Sequence, residues 1–270
     1  MQWIPERLKE PFRSVLGKEH PFGLAASARR NLRRLPRFQH STVQLFGHDL
    51  TVVDAASFLA SHEEIFEDQI YRLPAETQDP VIIDAGANIG LASIFFHLAN
   101  PKSRITAIES DPAIHQTLCN NLKSFGAANV EVMHGAVWKN AEQVCFAQDH
   151  ADGGRISNAG GTVVNGIRLR DLLDGKRIDL LKMDIEGAET EVLLDCEGAM
   201  DGVQRLFVEY HSFVNQPQSL SALLGALERS GFRYHIRQTG VYSAYPLVNF
   251  EQEAGFDLQL NIFAIRKELL

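Results

Sequence analysis

Cysteine is scarce in this chain of 270 residues: Cys119, Cys145 and Cys196 lie far apart and none forms a CxxC pair. That excludes a disulfide scaffold and a cysteine-based zinc site, and it fits a reducing compartment. No apolar run approaches the ~18 residues that signal a membrane span. The start, Met1-Gln-Trp-Ile-Pro-Glu-Arg, lacks the apolar core of a secretory signal. A cytoplasmic protein with no transmembrane segment is the expectation. Internal repeats and low-complexity tracts are also missing, and 45% hydrophobic with 22% charged residues is ordinary for a globular chain. Disordered and collagen-like readings fall away.

Excess positive charge is missing too. The net charge is −8, yet residues 1–40 hold nine Lys/Arg against three Asp/Glu, so the remainder is strongly acidic. The basic group Arg29, Arg30, Arg33, Arg34 and Arg37 suits a solvated or self-docking helix face, or contact with an acidic surface. Nucleic acid is not an expected partner, because backbone contacts need a wide basic surface. Oligomeric state is not legible.

What is present is a run of short apolar strands alternating with helices. Residues 42–54 predict two strands turning at Gly47-His48. Ser61 followed by Glu64 reads as a helix cap ahead of Ile65, Phe66, Ile70 and Tyr71. From residue 80, strands are predicted at Val81–Asp84, Arg104–Glu109, Asn129–His134, Ile178–Asp184, Gln204–Tyr210, Phe232–Arg237 and Leu260–Arg266. Helices fall at 91–98, 112–125, 186–196 and 218–230. Such alternation implies a mostly parallel sheet covered on both faces. We divide the chain into an N-terminal helical and hairpin extension, 1–70, and a sheet domain, 71–270.

In an open α/β sheet, ligands bind beyond the carboxyl ends of the strands. The residues ending four of the predicted strands are acids: Asp84, Glu109, Asp184 and Glu209. The first turn, Asp84-Ala-Gly-Ala-Asn-Ile-Gly90, has Gly86 for a sharp bend and Gly90 for close approach at a helix start. Glu109, at the end of the next strand, can accept two hydrogen bonds from ribose hydroxyls. A nucleoside cofactor follows. The turn does not match the G-x-G-x-x-G pyrophosphate fingerprint, and Asp84 would repel a phosphate. An acid there suits ammonium and sulfonium charges, a description that S-adenosylmethionine fits.

Asp84 to Gly90, Glu109-Ser-Asp-Pro112 and above all Leu181-Lys-Met-Asp-Ile-Glu-Gly-Ala-Glu189 resemble the FkbM family of S-adenosylmethionine-dependent methyltransferases. The likeness runs from about residue 62 to 267 and takes in Val208-Glu-Tyr-His211 and Asn261-Ile-Phe-Ala264. It implies a Rossmann-like class I methyltransferase sheet, mostly parallel with an antiparallel last strand. It also implies O-methylation of a sugar, polyketide or other small metabolite or glycan acceptor. By position, Asp84, Gly86, Ala87, Asn88 and Gly90 should surround the methionine part of the cofactor, with Glu109 on the ribose. Ser110 and Asp111 should close the adenosine pocket, and Gly135, Ala136 and Val137 should form the adenine edge. Asp184 and Glu186 should face the methyl group and the acceptor.

An alcohol acceptor benefits from a general base or a metal. His211, Asp184, Glu186 and Glu209 are the candidate bases. The same carboxylates with the histidine could hold one Mg²⁺-like ion. Glu186 and Glu189 also suit the start of a helix, whose dipole favours carboxylates. Lys182 shares a face with Asp184 and should form an internal ion pair. The stretch 148–161, rich in Gly and Asp/Asn, is expected to act as a lid, with Ser157 nearby and Arg155 gripping an acidic acceptor; Arg155-Ile-Ser157 departs from the family's usual small-residue pair. Phe213, Tyr242, Tyr245 and Phe250 are available to shape the acceptor side. Two competing readings are an NAD-dependent oxidoreductase on the same kind of sheet and a non-catalytic nucleoside-binding module.

Overall fold

The computed structural model describes residues 21–147, 154–156, 160–240, 242–249, 251–252 and 255–270. Its centre is a seven-stranded sheet, built from the short apolar runs. In chain order these strands are β3 (Val81–Ala85), β4 (Arg104–Glu109), β5 (Val130–His134), β10 (Leu180–Met183), β11 (Arg205–Phe213), β12 (Phe232–Thr239) and β13 (Phe256–Arg266). Across the sheet the order is β12-β13-β11-β10-β3-β4-β5. β13 runs antiparallel between β11 and β12, and the other adjacent pairs are parallel. The sheet is therefore Rossmann-like, with the last strand inverted as expected. The chain builds outward from β3 to β5, then returns to β10 and builds the other way. The resulting switch in strand order between β3 and β10 opens a crevice at their carboxyl ends.

Alternating side chains supply both faces. Ile82 and Ile105 pack on α3 (Leu91–Ala99) and α4 (Pro112–Ser124), whereas Ile83, Leu181 and Val208 pack on α6 (Glu189–Cys196) and α7 (Leu220–Arg229). Asp111 caps α4, its carboxylate accepting from the N–H groups of Ala113 and Ile114 at 2.7 and 3.2 Å.

Residues 21–70 lie on the α3/α4 face. α1 (Ala26–Leu32) is followed by the hairpin β1 (Ser41–Leu45) and β2 (His48–Val52), then α2 (Ala55–His62) and a π-helical turn at Glu63–Glu67. Leu45, Leu50, Val52, Phe58 and Phe66 are almost fully buried in the core shared with the sheet. Each such side chain stabilises by roughly 1.5–3 kcal/mol, enough to hold this segment firmly on the domain. Asn121 of α4 stitches the two together: its amide donates to the Thr51 and Ile89 carbonyls, and its oxygen accepts from the Thr51 N–H.

The predicted cap at Ser61 is corrected. Asp54 caps α2, accepting from the Ala56 and Ser57 N–H groups at 2.9 and 3.0 Å, and Ser61 falls inside the helix. Asp54 also takes Arg37 at 2.7 Å, and Arg29 is bound by Glu67 and His62. Arg30, Arg33 and Arg34 are exposed, so the basic group is partly self-docking and partly solvated.

A second, four-stranded sheet sits between β5 and β10. It joins β6 (Ala136–Trp138), β7 (Gln143–Ala147), β8 (Arg155–Ile156) and β9 (Thr162–Arg168), after which the short α5 (Leu169–Leu173) leads to β10. The expected lid falls partly within it, because Arg155-Ile156 pairs with Phe146-Ala147. Ser157 and the Arg155 side chain lie outside the described residues. Among the described residues, no helix is long and apolar enough to cross a membrane.

Candidate active site

The turn after β3 is governed by its close approach to β10. Gly86 has φ +79°, and a Cβ there would sit 1.7 Å from the Asp184 carbonyl oxygen. Asn88 (φ 47°) and Gly90 (φ 97°) also take the left-handed region that Gly and Asn tolerate best. The Gly86 and Ala87 N–H groups are held by the Ile108 carbonyl at 3.0 and 2.9 Å. The turn is thereby clamped between both neighbouring strands.

This turn borders a cavity of about 320 Å³ at the switch point. Most sequence-predicted residues line it: Gly86, Asn88, Glu109, Ser110, Asp111, Gly135, Ala136, Val137, Asp184, Glu186, Glu209 and His211. Three do not. Asp84 is fully buried beneath the turn, accepting from the Ser93 hydroxyl at 2.7 Å and lying 3.3 Å from Lys182 Nζ. Gly90 faces away, where a Cβ would meet Leu118. Ala87 borders only a smaller adjoining hollow.

The apolar part of the lining, Ile108, Ile114, Val137, Phe146 and Ile156, comes from β4, α4, β6, β7 and β8. Glu109 adjoins it. Its carboxylate accepts from the Asn88 N–H at 2.9 Å and the Asp111 N–H at 2.8 Å. Burial nevertheless pushes its pKa up to about 7, against the lowering effect of those bonds.

Another part of the lining is acidic. Lys182 is paired in register with Asp84 across β10 and β3. Its buried ammonium donates to the Gly86 carbonyl at 2.6 Å and lies 3.6 Å from Asp184. The expected internal ion pair therefore includes Asp84 as well, and it props both sides of the crevice.

Glu186 departs from the helix-start reading. It belongs to the turn after β10, with φ 57°, and α6 begins only at Glu189. Glu189 organises that turn: its Oε1 accepts from the Ile185 and Gly187 N–H groups at 3.2 and 2.9 Å and from His211 Nδ1 at 3.1 Å. His211 Nε2 is then aimed at Glu186 Oε2 (3.7 Å) and Glu209 Oε1 (3.8 Å), with no hydrogen bond to either.

Glu209 is likewise not at a strand end, because β11 runs on to Phe213 against β13. Parallel pairing with β10 stops at Val208, however, so Glu209 stands where the crevice opens. Burial raises the Glu186 pKa well above the usual carboxylate range, with Asp184, Glu189 and Glu209 adding to it. Glu209 is pushed up to about 8, again chiefly by burial. Burial alone would lower His211, but Glu189 and Glu186 outweigh it and hold the imidazole well above its ordinary value.

The sequence did not single out Ser57, Thr239 and Gln259, or the cavity role of Ser61 and Glu64. Ser61 and Glu64 carried a signal, but it resembled a cap. Of the aromatics offered for the acceptor side, Phe213 packs against Gly187, Tyr242 and Tyr245 are largely exposed, and Phe250 lies outside the described residues.

The "Methyltransferase FkbM domain" family model matches residues 84–234. Methyltransferase 1 of Beauveria bassiana is 29% identical over 160 residues, spanning 49% of this chain and 64% of that protein. Methyltransferase sdnD of Sordaria araneosa is 31% identical over 171 residues, spanning 49% of this chain and 66% of its own length. The chain thus covers a little under two thirds of each of these two relatives. Among solved structures, Trm5b of Pyrococcus abyssi superposes with a TM-score of 0.50 at 13% identity, over 85% of this chain and 56% of that one, a likeness of fold alone. With more than half its length matched by the family model, around the switch-point cavity, this chain belongs to the FkbM methyltransferase family.

Proposed function

We propose that the protein transfers a methyl group from S-adenosylmethionine to a hydroxyl oxygen of a small acceptor. In this reading residues 71–270 are the catalytic domain and 1–70 its extension. The carrying observation is one cavity lined both by Glu109 at the end of β4, with Ile108, Ile114, Val137 and Phe146, and by Glu209 and His211 of β11, three strands away across the sheet. The fit to the cofactor is good: Ile108, Ile114, Val137 and Phe146 suit a flat base, and Glu109 suits a ribose diol. Ser110, Asp111 and Gly135 to Val137 close the adenosine side, and Gly86, Asn88 and Asp184 face the amino-acid portion. Bound there, the cofactor supplies an electrophilic sulfonium methyl group. No nucleotide phosphate would be welcome beside the Asp184 carboxylate, which disfavours the NAD reading.

The chain's own residues align the acceptor and take its proton. Alignment and exclusion of water supply much of the acceleration in such a displacement. Glu209, with its pKa about 8, is matched to general-base work near neutral pH. His211, fixed through Nδ1 by Glu189, stabilises the carboxylate that does the work. The donor atoms of Asp184, Glu186 and His211 lie within 4.8 Å of one another. Two carboxylates and an imidazole differ from the oxygen shell that Mg²⁺ takes, so no step is assigned to that ion.

The test is calorimetric titration with S-adenosylmethionine, together with methyl-transfer assays. Glu109→Ala should lose cofactor binding, whereas Glu209→Gln and His211→Ala should keep it and slow transfer. Normal binding by Glu109→Ala, or loss of cofactor affinity with unchanged turnover in the other two, would overturn the assignment.

A further inference from the structure

The family match begins at residue 84, yet part of the cavity wall comes from before it. α2 and the π-helical turn carry Ser57, Ser61 and Glu64 at intervals of four and three residues. That spacing puts them on one helical face, and all three line the cavity. The turn is widened: the Asp68 N–H reaches the Glu63 carbonyl at 2.9 Å, five residues back. Such π turns are rare and occur frequently at functional sites. Opposite this face stand Thr239, at the end of β12, and Gln259 of β13. The Thr239 hydroxyl donates to Glu64 Oε1 at 3.4 Å, so Glu64 reaches across to β12.

The chemistry of these residues is one-sided. Ser57, Ser61, Thr239 and Gln259 offer hydroxyl and amide groups, while Glu64 offers a carboxylate beside the carboxyl group of Glu209. Among the described side chains no lysine or arginine lines the cavity; Lys182, which borders the adjoining hollow beside Glu64, is committed to Asp84, Asp184 and the Gly86 carbonyl, and His211 is held at Nδ1 by Glu189. A carboxylate is an acceptor seeking O–H or N–H donors. A neutral polyol supplies them, whereas an acidic acceptor would bring like charge into a half-closed pocket.

We propose that Glu64 is a specificity-determining residue, accepting a hydrogen bond from a hydroxyl of a neutral polyol acceptor and excluding acceptors that carry a carboxylate. The inference rests on the hydroxyl-methylation reading above and narrows its substrate class. It also assigns acceptor choice to the extension, leaving cofactor binding to the family-matched part.

The experiment uses the full chain with S-adenosylmethionine and two probes, methyl β-D-glucopyranoside and methyl β-D-glucopyranosiduronate, following release of S-adenosylhomocysteine. Wild type should turn over the neutral glycoside with kcat/KM at least about tenfold above the uronate. Glu64→Gln should raise KM for the neutral glycoside by about tenfold, shrink the preference over the uronate, and leave the cofactor Kd within about twofold. Glu64→Asp, which keeps the charge, should retain the preference. Unchanged KM and preference in Glu64→Gln, or an effect on cofactor Kd instead, overturns the inference while the methyl-transfer reading stands. Wild type that binds the cofactor but turns over neither glycoside, or favours the uronate, also overturns it. Failure to bind the cofactor at all would instead bring down the proposed function.

Discussion

Gly86→Ala is the sharpest single test of how this site is built. Two separate effects are expected to add. Holding alanine at φ +79° costs about 1–2 kcal/mol, because a Cβ crowds the following carbonyl in the left-handed region. The new methyl group would also overlap the Asp184 carbonyl oxygen, only 1.7 Å away, and that atom belongs to backbone that cannot rotate aside. Overpacking of this kind adds typically 1–3 kcal/mol, so the total is about 2–5 kcal/mol. Gly126→Ala is the internal control. Gly126 also has positive φ (+64°), but a Cβ there meets nothing within 4 Å, so only the conformational part should appear. Urea unfolding of the three proteins measures the difference, and calorimetry with S-adenosylmethionine measures the site. Gly86→Ala should fall below Gly126→Ala in stability and should lose cofactor affinity as the turn is pushed off β10. Equal stabilities for the two variants, or a Gly86→Ala protein with normal affinity, would refute the close-approach argument.

Lys182→Met should destabilise by roughly 3–5 kcal/mol, since it strips a buried cation from Asp84, Asp184 and the Gly86 carbonyl and leaves Asp84 uncompensated; chemical denaturation checks this, and a loss under about 1 kcal/mol would mean the ion pair is dispensable. Cofactor affinity should depend on pH through Glu109. Its carboxyl in the free protein titrates near 7, and ribose hydroxyls favour the charged form. Binding therefore releases a proton below that pH, and affinity should fall as pH drops below about 7, by at most about tenfold per pH unit. Calorimetry at several pH values would read it, and a flat profile from pH 6 to 8 would count against the ribose contact.

How much was legible in the sequence depended on how local the cause was. Gly86 and Asn88 announce a tight turn, and the β-like runs ending in Asp84, Glu109 and Asp184 announce strands feeding one edge. Both follow from short-range sterics and a period of two. The same reading overvalued Asp84 and Gly90 as lining residues. Nothing local distinguishes a carboxylate facing a cavity from one buried under a turn against Lys182. It also ended β11 at Tyr210, because the pairing with β13 that carries it to Phe213 joins positions more than forty residues apart, such as Phe213 and Phe256.

The amino-acid order alone determined the alternation of strands and helices, the glycine turn, the acid that ends β4 and the family motif around Asp184 to Glu189. Each is written in neighbouring residues, through backbone sterics and side-chain periodicity. Only the folded chain decided that Ser57, Ser61 and Glu64 wall the cavity, that Glu189 steers His211, and that Glu109, Glu186 and Glu209 hold their protons more tightly than free carboxyls. Those properties arise from burial and from contacts between distant segments. Solvent exclusion and charge proximity are set by packing, and packing is not a property of any short stretch of sequence.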